Sequence, residues 1–245
     1  CIMQSPLGET ANDRVEGWCA DGWSIAHISA HKPKGDGALG ELVDAWLQEL
    51  PSSKGLRERR ALAAELVAES LPPTPPFRML CVGVNSATLL NGQMSAFGRM
   101  GGEVICIEPS TDALAVADSD LSARPRTMKL KLIPDDLASF CLGRPGGRHP
   151  PQNIVILDCL LEYLPEAIAV TCLRTAVAQL PPGGVVIATS MAPASDDLLY
   201  RYLLRWPMIR RSKAALAGLM AGAGTHSIRV YEAGGAGLVA IGTRP

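Results

Sequence analysis

Residues 77–110 leave this chain few folds to choose from. An apolar run, Met79-Leu80-Cys81-Val82, meets Gly83; a helical stretch follows, and a second apolar run, Val104 to Ile107, stops at an acid, Glu108. Strand, glycine turn, helix, strand and acid in that order make the first half of a nucleotide-binding βαβ unit. The acid follows the glycine at close to the interval usual for a carboxylate that grips a ribose. Its two acceptor oxygens suit the paired 2′ and 3′ hydroxyls of an adenosine.

The alternation continues. Ser110 caps a helix to about Leu121. Met128, Leu130 and Leu132 alternate with Lys129 and Lys131, the period of an edge strand with one wetter face. Pro134-Asp135-Asp136 opens a short helix. Asn153 to Asp158 is a buried strand ending in an acid, and Pro165 starts a helix to Leu180. Pro181-Pro182-Gly183-Gly184 precedes a strand over Val185 to Thr189, and helices are expected over Ser195–Trp206 and Ser212–Met220. Two last strands, Ser227–Tyr231 and Leu238–Gly242, are joined by so short a glycine-rich link that they must run antiparallel. The fold class is therefore α/β: a Rossmann-like, seven-stranded, mostly parallel sheet with an antiparallel last strand and helices on both faces. The Met79–Val84 and Asn153–Asp158 strands should lie side by side.

Ahead of this core the reading is simpler. Residues 1–37, with Trp18 and Trp23, read as an irregular lead-in. Leu39, Leu42, Val43, Trp46, Leu47 and Leu50 recur at helical spacing as one inward face, and Pro51-Ser52-Ser53 ends that helix. A second helix spans about Leu56 to Ser70, its run Arg57-Glu58-Arg59-Arg60 read as a solvated face. Residues 71–76, rich in proline, separate helical and α/β parts. The division expected is an N-terminal extension, 1–55, and an α/β domain, 56–245.

Composition excludes several functions. The formal charge is −1, which gives no field toward nucleic acid. No apolar run is long enough to span a bilayer, and the N-terminus lacks the layout of a signal peptide, so the expectation is a cytoplasmic protein. Cys1 at the start suggests a fragment or a processed chain. The seven cysteines include no Cys-x-x-Cys pair, and the four histidines are scattered. Neither a metal nor a disulfide framework is expected.

Four stretches carry a family resemblance: Leu80-Cys81-Val82-Gly83, Ile107-Glu108-Pro109, Asp158-Cys159-Leu160-Leu161-Glu162-Tyr163-Leu164, and Leu180-Pro181-Pro182-Gly183-Gly184-Val185. With this element order the chain resembles the class I S-adenosylmethionine-dependent methyltransferases. Glu162-Tyr163-Leu164-Pro165, Pro-Gly-Gly and Trp206 with Arg210 and Arg211 resemble more narrowly a bacterial group that includes hydroxy-fatty-acid carboxyl methyltransferases. One departure matters. The family's Gly-x-Gly-x-Gly loop is here Gly83-Val84-Asn85-Ser86-Ala87. Asn85 tolerates a left-handed backbone, and Ala87 adds one methyl.

The resemblance implies S-adenosylmethionine as cofactor. Gly83, Val84 and Asn85 would line its amino-acid end. Glu108 would hold the ribose, Pro109 would flank the adenine, Asp136 and Leu137 would sit beside that ring, and Asp158 would face the ammonium or sulfonium. Glu108, Asp158, Asp135 and Asp136 have an alternative role as acids at helix starts. The segment Leu198–Arg211 is either a substrate lid, with Tyr163, Tyr202 and Trp206 for an apolar body and Arg210 for an anion, or an amphipathic surface helix. No general base is identifiable by spacing. The expected function is methyl transfer, to oxygen before nitrogen or carbon, onto a small or lipid-like carboxylate or hydroxyl. Two alternatives stay open: a non-catalytic methyltransferase-like binding domain, and a nicotinamide-dependent oxidoreductase, against which the missing glycines at Asn85 and Thr88 speak. The oligomeric state is not legible.

Overall fold

The computed structural model describes residues 2–13, 22–83, 89–90, 97, 99–108, 114–115, 118–119, 122, 124–134, 137–143 and 150–245. Seven strands form one sheet: β1 (Phe77–Val82), β2 (Gly102–Ile107), β3 (Met128–Ile133), β4 (Ile154–Leu157), β5 (Val185–Met191), β6 (His226–Ala233) and β7 (Gly237–Thr243). Their order is β3-β2-β1-β4-β5-β7-β6. The first five are parallel, and β7 runs antiparallel to both β5 and β6. β1 and β4 are neighbours, as their matching apolar runs require, and β3 lies at the edge.

The period of two sorts the sheet into two faces. Leu80, Val82, Ile105, Ile107, Val155, Leu157, Val186 and Ala188 point to one side. There they pack against α5 (Leu137–Cys141), α6 (Glu166–Ala178) and α7 (Lys213–Gly222). Met79, Cys81, Val104, Cys106, Ile154, Ile156 and Ile187 point to the other, where Ala63, Leu66 and Val67 of α4 (Pro51–Glu69) cover them. A third cluster joins the N-terminal helices α1 (Pro6–Asp13), α2 (Gly22–Ala30) and α3 (Gly37–Gln48) to Met191, Tyr200, Leu204 and Trp206.

Four local expectations need correction. The first 37 residues are not irregular, since α1 and α2 form within them; Trp18 lies outside the described residues. In α3 only part of the apolar stripe turns inward. Leu47 is buried, but Leu42 is 68% exposed and Leu39 and Trp46 are half-exposed. Asp44 and Gln48 take the inner face instead, in a hydrogen-bonded network with Ser5 and His27. Pro51 does more than end α3, because it is the first-turn proline of α4, whose helix runs unbroken through residue 56. Finally, residues 195–206 form a π-helical turn, Leu199–Leu203, where a regular helix was expected. The helix expected over Ser110–Leu121 falls mostly outside the described residues.

Candidate active site

Three expected site residues meet where the sheet's order reverses. β1 lies between β2 and β4, with Val82 paired to both Ile107 and Leu157. The residues that follow are Glu108, Gly83 and Asp158, side by side at the carboxyl ends. The Gly83 N–H donates to the Ile107 carbonyl, and the Asp158 N–H to the Val82 carbonyl. Ligands of doubly wound sheets bind at such a switch point.

Gly83 is fixed there by backbone contact. Its φ is +116°, and a Cβ would fall 2.1 Å from the Asp158 carbonyl oxygen. No side chain fits. Glu108 is buried at the end of β2, and its N–H donates to the Ile133 carbonyl of β3. Leu137 begins α5 and packs, half-buried, against the sheet. Val84, Asn85, Pro109 and Asp136 lie outside the described residues.

Asp158 has close protein partners. Its Oδ1 accepts from the Thr189 hydroxyl at 2.8 Å. Arg60 Nη1 lies 3.2 Å from Oδ2, but without the alignment of a hydrogen bond. Beside it Arg59, fully buried, donates by Nη2 to Glu162 Oε1 at 2.5 Å and to Cys159 Sγ at 3.1 Å. Burial pushes the Arg59 guanidinium toward deprotonation, but the charges of Glu162 and Asp158 outweigh it and hold the group ionised. The Cys159 thiol is pushed up to about 12, first by burial and then by Asp158. It stays protonated and inert at neutral pH.

These two arginines overturn the reading of residues 57–60 as a solvated face. Glu58 is exposed and Arg57 half-buried against the Gln48 carbonyl, whereas Arg59 and Arg60 are buried. The helical phase carried the signal. Leu56 and Ala63 face inward, and positions three and four beyond Leu56 share that face. Arginine at an inward position needs an acid to meet it, and Asp158 and Glu162 stand too far along the sequence for any local pattern to show the pairing.

The expected substrate residues separate into two groups. Trp206, buried, donates by its indole N–H to the Tyr163 hydroxyl at 2.8 Å. That leaves the phenol's own proton for another acceptor. Burial, with the charge of Glu162, raises the Tyr163 pKa well above its ordinary value, so the phenol remains a donor. Tyr200, which the sequence did not single out, packs at 5.7 Å from the Trp206 ring and bonds Ser53 of α4 through its hydroxyl. Tyr202, by contrast, is 74% exposed and is not gathered into this group. Arg210 is already committed: Nε donates to Asp197 at 2.7 Å, Nη2 to Ser52 and Nη1 to the Ala192 carbonyl. Arg211 is equally engaged with the carbonyls of Leu161 and Leu164. It thereby holds the turn Leu161–Tyr163, which Arg59 also holds through Glu162.

The residues present fit an adenosyl amino acid. Gly83 supplies a backbone approach that a Cβ would fill, and Glu108 supplies a buried carboxylate one strand away. Asp158 Oδ2 and the Arg59 Nε and Nη1 atoms are buried polar atoms without a hydrogen-bond partner among the described residues. Among the described residues no group of three or more His, Cys, Asp or Glu is placed to hold a metal ion. No helix among them is long and apolar enough to cross a membrane. A concavity of about 530 Å³ lined by Asp118, Ser122, Arg124, Pro125, Arg126 and Met128 opens at the amino end of β3, the wrong end of the sheet for this site.

No family model matches the chain, and no curated protein matches it in sequence. Solved structures do match it in shape. A protein of Bordetella parapertussis described as possibly exported superposes with a TM-score of 0.70 at 17% identity, over 93% of this chain and 80% of that one. The N-methyltransferase NodS of Bradyrhizobium japonicum, in complex with S-adenosylhomocysteine, has a TM-score of 0.52 at 14% identity, over 76% and 87%. An O-methyltransferase family 2 protein of Planctomyces limnophilus, in complex with apigenin, has a TM-score of 0.55 at 16% identity. It is matched over 79% of this chain but only 58% of its own length. At such identities what is shared is the arrangement of strands and helices, and that arrangement is the Rossmann-like methyltransferase fold.

Proposed function

We propose that this protein is an S-adenosylmethionine-dependent methyltransferase whose acceptor is a small or lipid-like carboxylate or hydroxyl. One observation carries the reading: Glu108, Gly83 and Asp158 stand in a row across β2, β1 and β4 at the switch point, with no room for a side chain at Gly83. Glu108 would accept the ribose hydroxyls, and Asp158 and Arg60 would take the ammonium and carboxylate of the methionine end. When bound, S-adenosylmethionine would supply an electrophilic methyl carbon open to in-line attack by an acceptor oxygen, with the sulfonium sulfur as the leaving group that keeps the C–S electron pair. The chain's part is to align that oxygen and exclude water. Tyr163, held by Trp206, has a phenol proton to donate to the acceptor, and Trp206 and Tyr200, both buried, back it from the core. Arg210 does not serve an anion, since Asp197 and Ser52 already hold it. A carboxylate acceptor needs no base, which suits a site whose described residues offer none. The near-neutral net charge lacks the basic footprint that RNA or DNA substrates demand. The departures after Gly83 favour a second reading, in which the cofactor binds but no methyl moves.

Titration with S-adenosylhomocysteine tests the first step. Wild type should bind, and Glu108→Ala, losing a charge-assisted hydrogen bond, should bind about ten- to hundredfold more weakly, or about 1.5–3 kcal/mol. Equal affinities, or no binding to either folded protein, would sink the site. Transfer of labelled methyl to hydroxy-fatty acids, aromatic acids, RNA and bulk protein then separates the readings. Labelled acids support ours, labelled RNA or protein overturns the acceptor, and no label with cofactor bound gives the second reading.

A further inference from the structure

The π-helical turn Leu199–Leu203 has two unlike sides. Tyr200 and Leu204 point in and pack beside Trp206. Leu198 and Tyr202 point out, 71% and 74% exposed, with Leu203 half-exposed next to them. Residues four and five apart fall on the same side of such a turn, so these three form one apolar tip. Arg201 and Arg205 are exposed at its flanks. The acids nearby do not neutralise them. Asp196 is buried against Ser52, and Asp197 is taken by Arg210. Among the described residues Arg205 bonds the neutral Asn12 carbonyl, and Arg201 meets no acid. A chain of net charge −1 thus places two exposed positive charges, unopposed by any acid among the described residues, around three exposed apolar side chains.

We infer that this turn docks the protein on an anionic lipid surface. A stable protein partner needs a broad interface, about 800 Å² on each side, which a single turn does not supply. A lipid leaflet asks for less. A few apolar side chains enter the headgroup boundary, and arginines beside them meet lipid phosphates while their stems stay in the apolar layer. The arrangement also brings the Trp206 side of the candidate site to the membrane surface, where an acceptor with an aliphatic body would be concentrated.

Co-sedimentation with vesicles tests the inference, and it needs neither cofactor nor methyl transfer, so its outcome is separate from that of the methyltransferase reading. The chain should sediment with vesicles of phosphatidylcholine mixed with phosphatidylglycerol, weakly or not at all with phosphatidylcholine alone, and less as salt rises. Arg201→Gln combined with Arg205→Gln should weaken binding by about tenfold or more, and so should Leu198→Ser combined with Leu203→Ser. All these side chains are exposed, so thermal midpoints should hold and show that the variants are folded. Absence of sedimentation with anionic vesicles overturns the inference, as does equal binding by folded variants. Loss of self-association in the Leu198→Ser/Leu203→Ser variant, with vesicle binding unchanged, would assign the tip to a second copy of the chain and also overturn it.

Discussion

Asp44 shows how one buried side chain can decide which way a helix faces. Its carboxylate accepts from the Ser5 hydroxyl, the His27 ring, the Gln48 amide and the Lys34 N–H. Burial pushes its pKa up, but the bonds from His27, Ser5 and Lys34 outweigh that and leave it below the ordinary value. A depressed folded pKa means that ionised Asp44 stabilises the fold above about pH 4, and that the contribution drains away as pH falls through the folded value. Asp44→Asn should therefore lower the urea midpoint most near neutrality, with the gap from wild type closing at pH values below about 4. A gap independent of pH would count against the carboxylate's role. At this scale the sequence misled: Leu39, Leu42 and Trp46 read as an inward stripe, and nothing in their period reveals that an acid with four donors holds the other face.

Among the elements, α4 depends most on distant chain. Leu50 at its N-terminus has no capping oxygen, so its first donors turn elsewhere. Asp196 accepts from both the Ser52 N–H and the Ser52 hydroxyl, at 2.8 Å each, across 144 residues of sequence. Asp196→Ala should cost about 1–2 kcal/mol in chemical denaturation, the usual price of a lost cap. No change in midpoint would show that the cap is idle. The strands were legible because most are buried apolar runs, while β3 alternates with a period of two and β6 is tied to β7 by a short turn, and all seven appear within two residues of their expected limits. The first turn of α4 was not, because proline and serine mark a helix end and a helix start alike. Gly83, Glu108 and Asp158 were legible as strand ends, and parallel pairing is enough to bring them together. Arg59 and Arg60 were not, since their acids lie about a hundred positions away.

Across the whole molecule, α4 ties the N-terminal helices to the sheet by charge as well as by packing. The Arg59–Glu162 pair is wholly buried. Removing one partner leaves a buried charge alone, and Arg59→Met should cost about 3–5 kcal/mol. Arg59→Met combined with Glu162→Gln should recover a large part of that loss, and equal stabilities for single and double variants in urea would refute the coupling.

The cap from Asp196, the acids Asp158 and Glu162, and the close seat of Gly55 on Gly237 have a consequence for biosynthesis. These partners of α4 are all translated long after α4 itself. At typical elongation speeds the ribosome needs roughly ten to thirty seconds to pass from residue 69 to residue 237. For that interval the helix emerges with two uncompensated arginines and a bare apolar face of Ala63, Leu66 and Val67. A nascent chain so arranged cannot fold from its N-terminus forward. α4 gains its full set of partners only when the last hairpin is made.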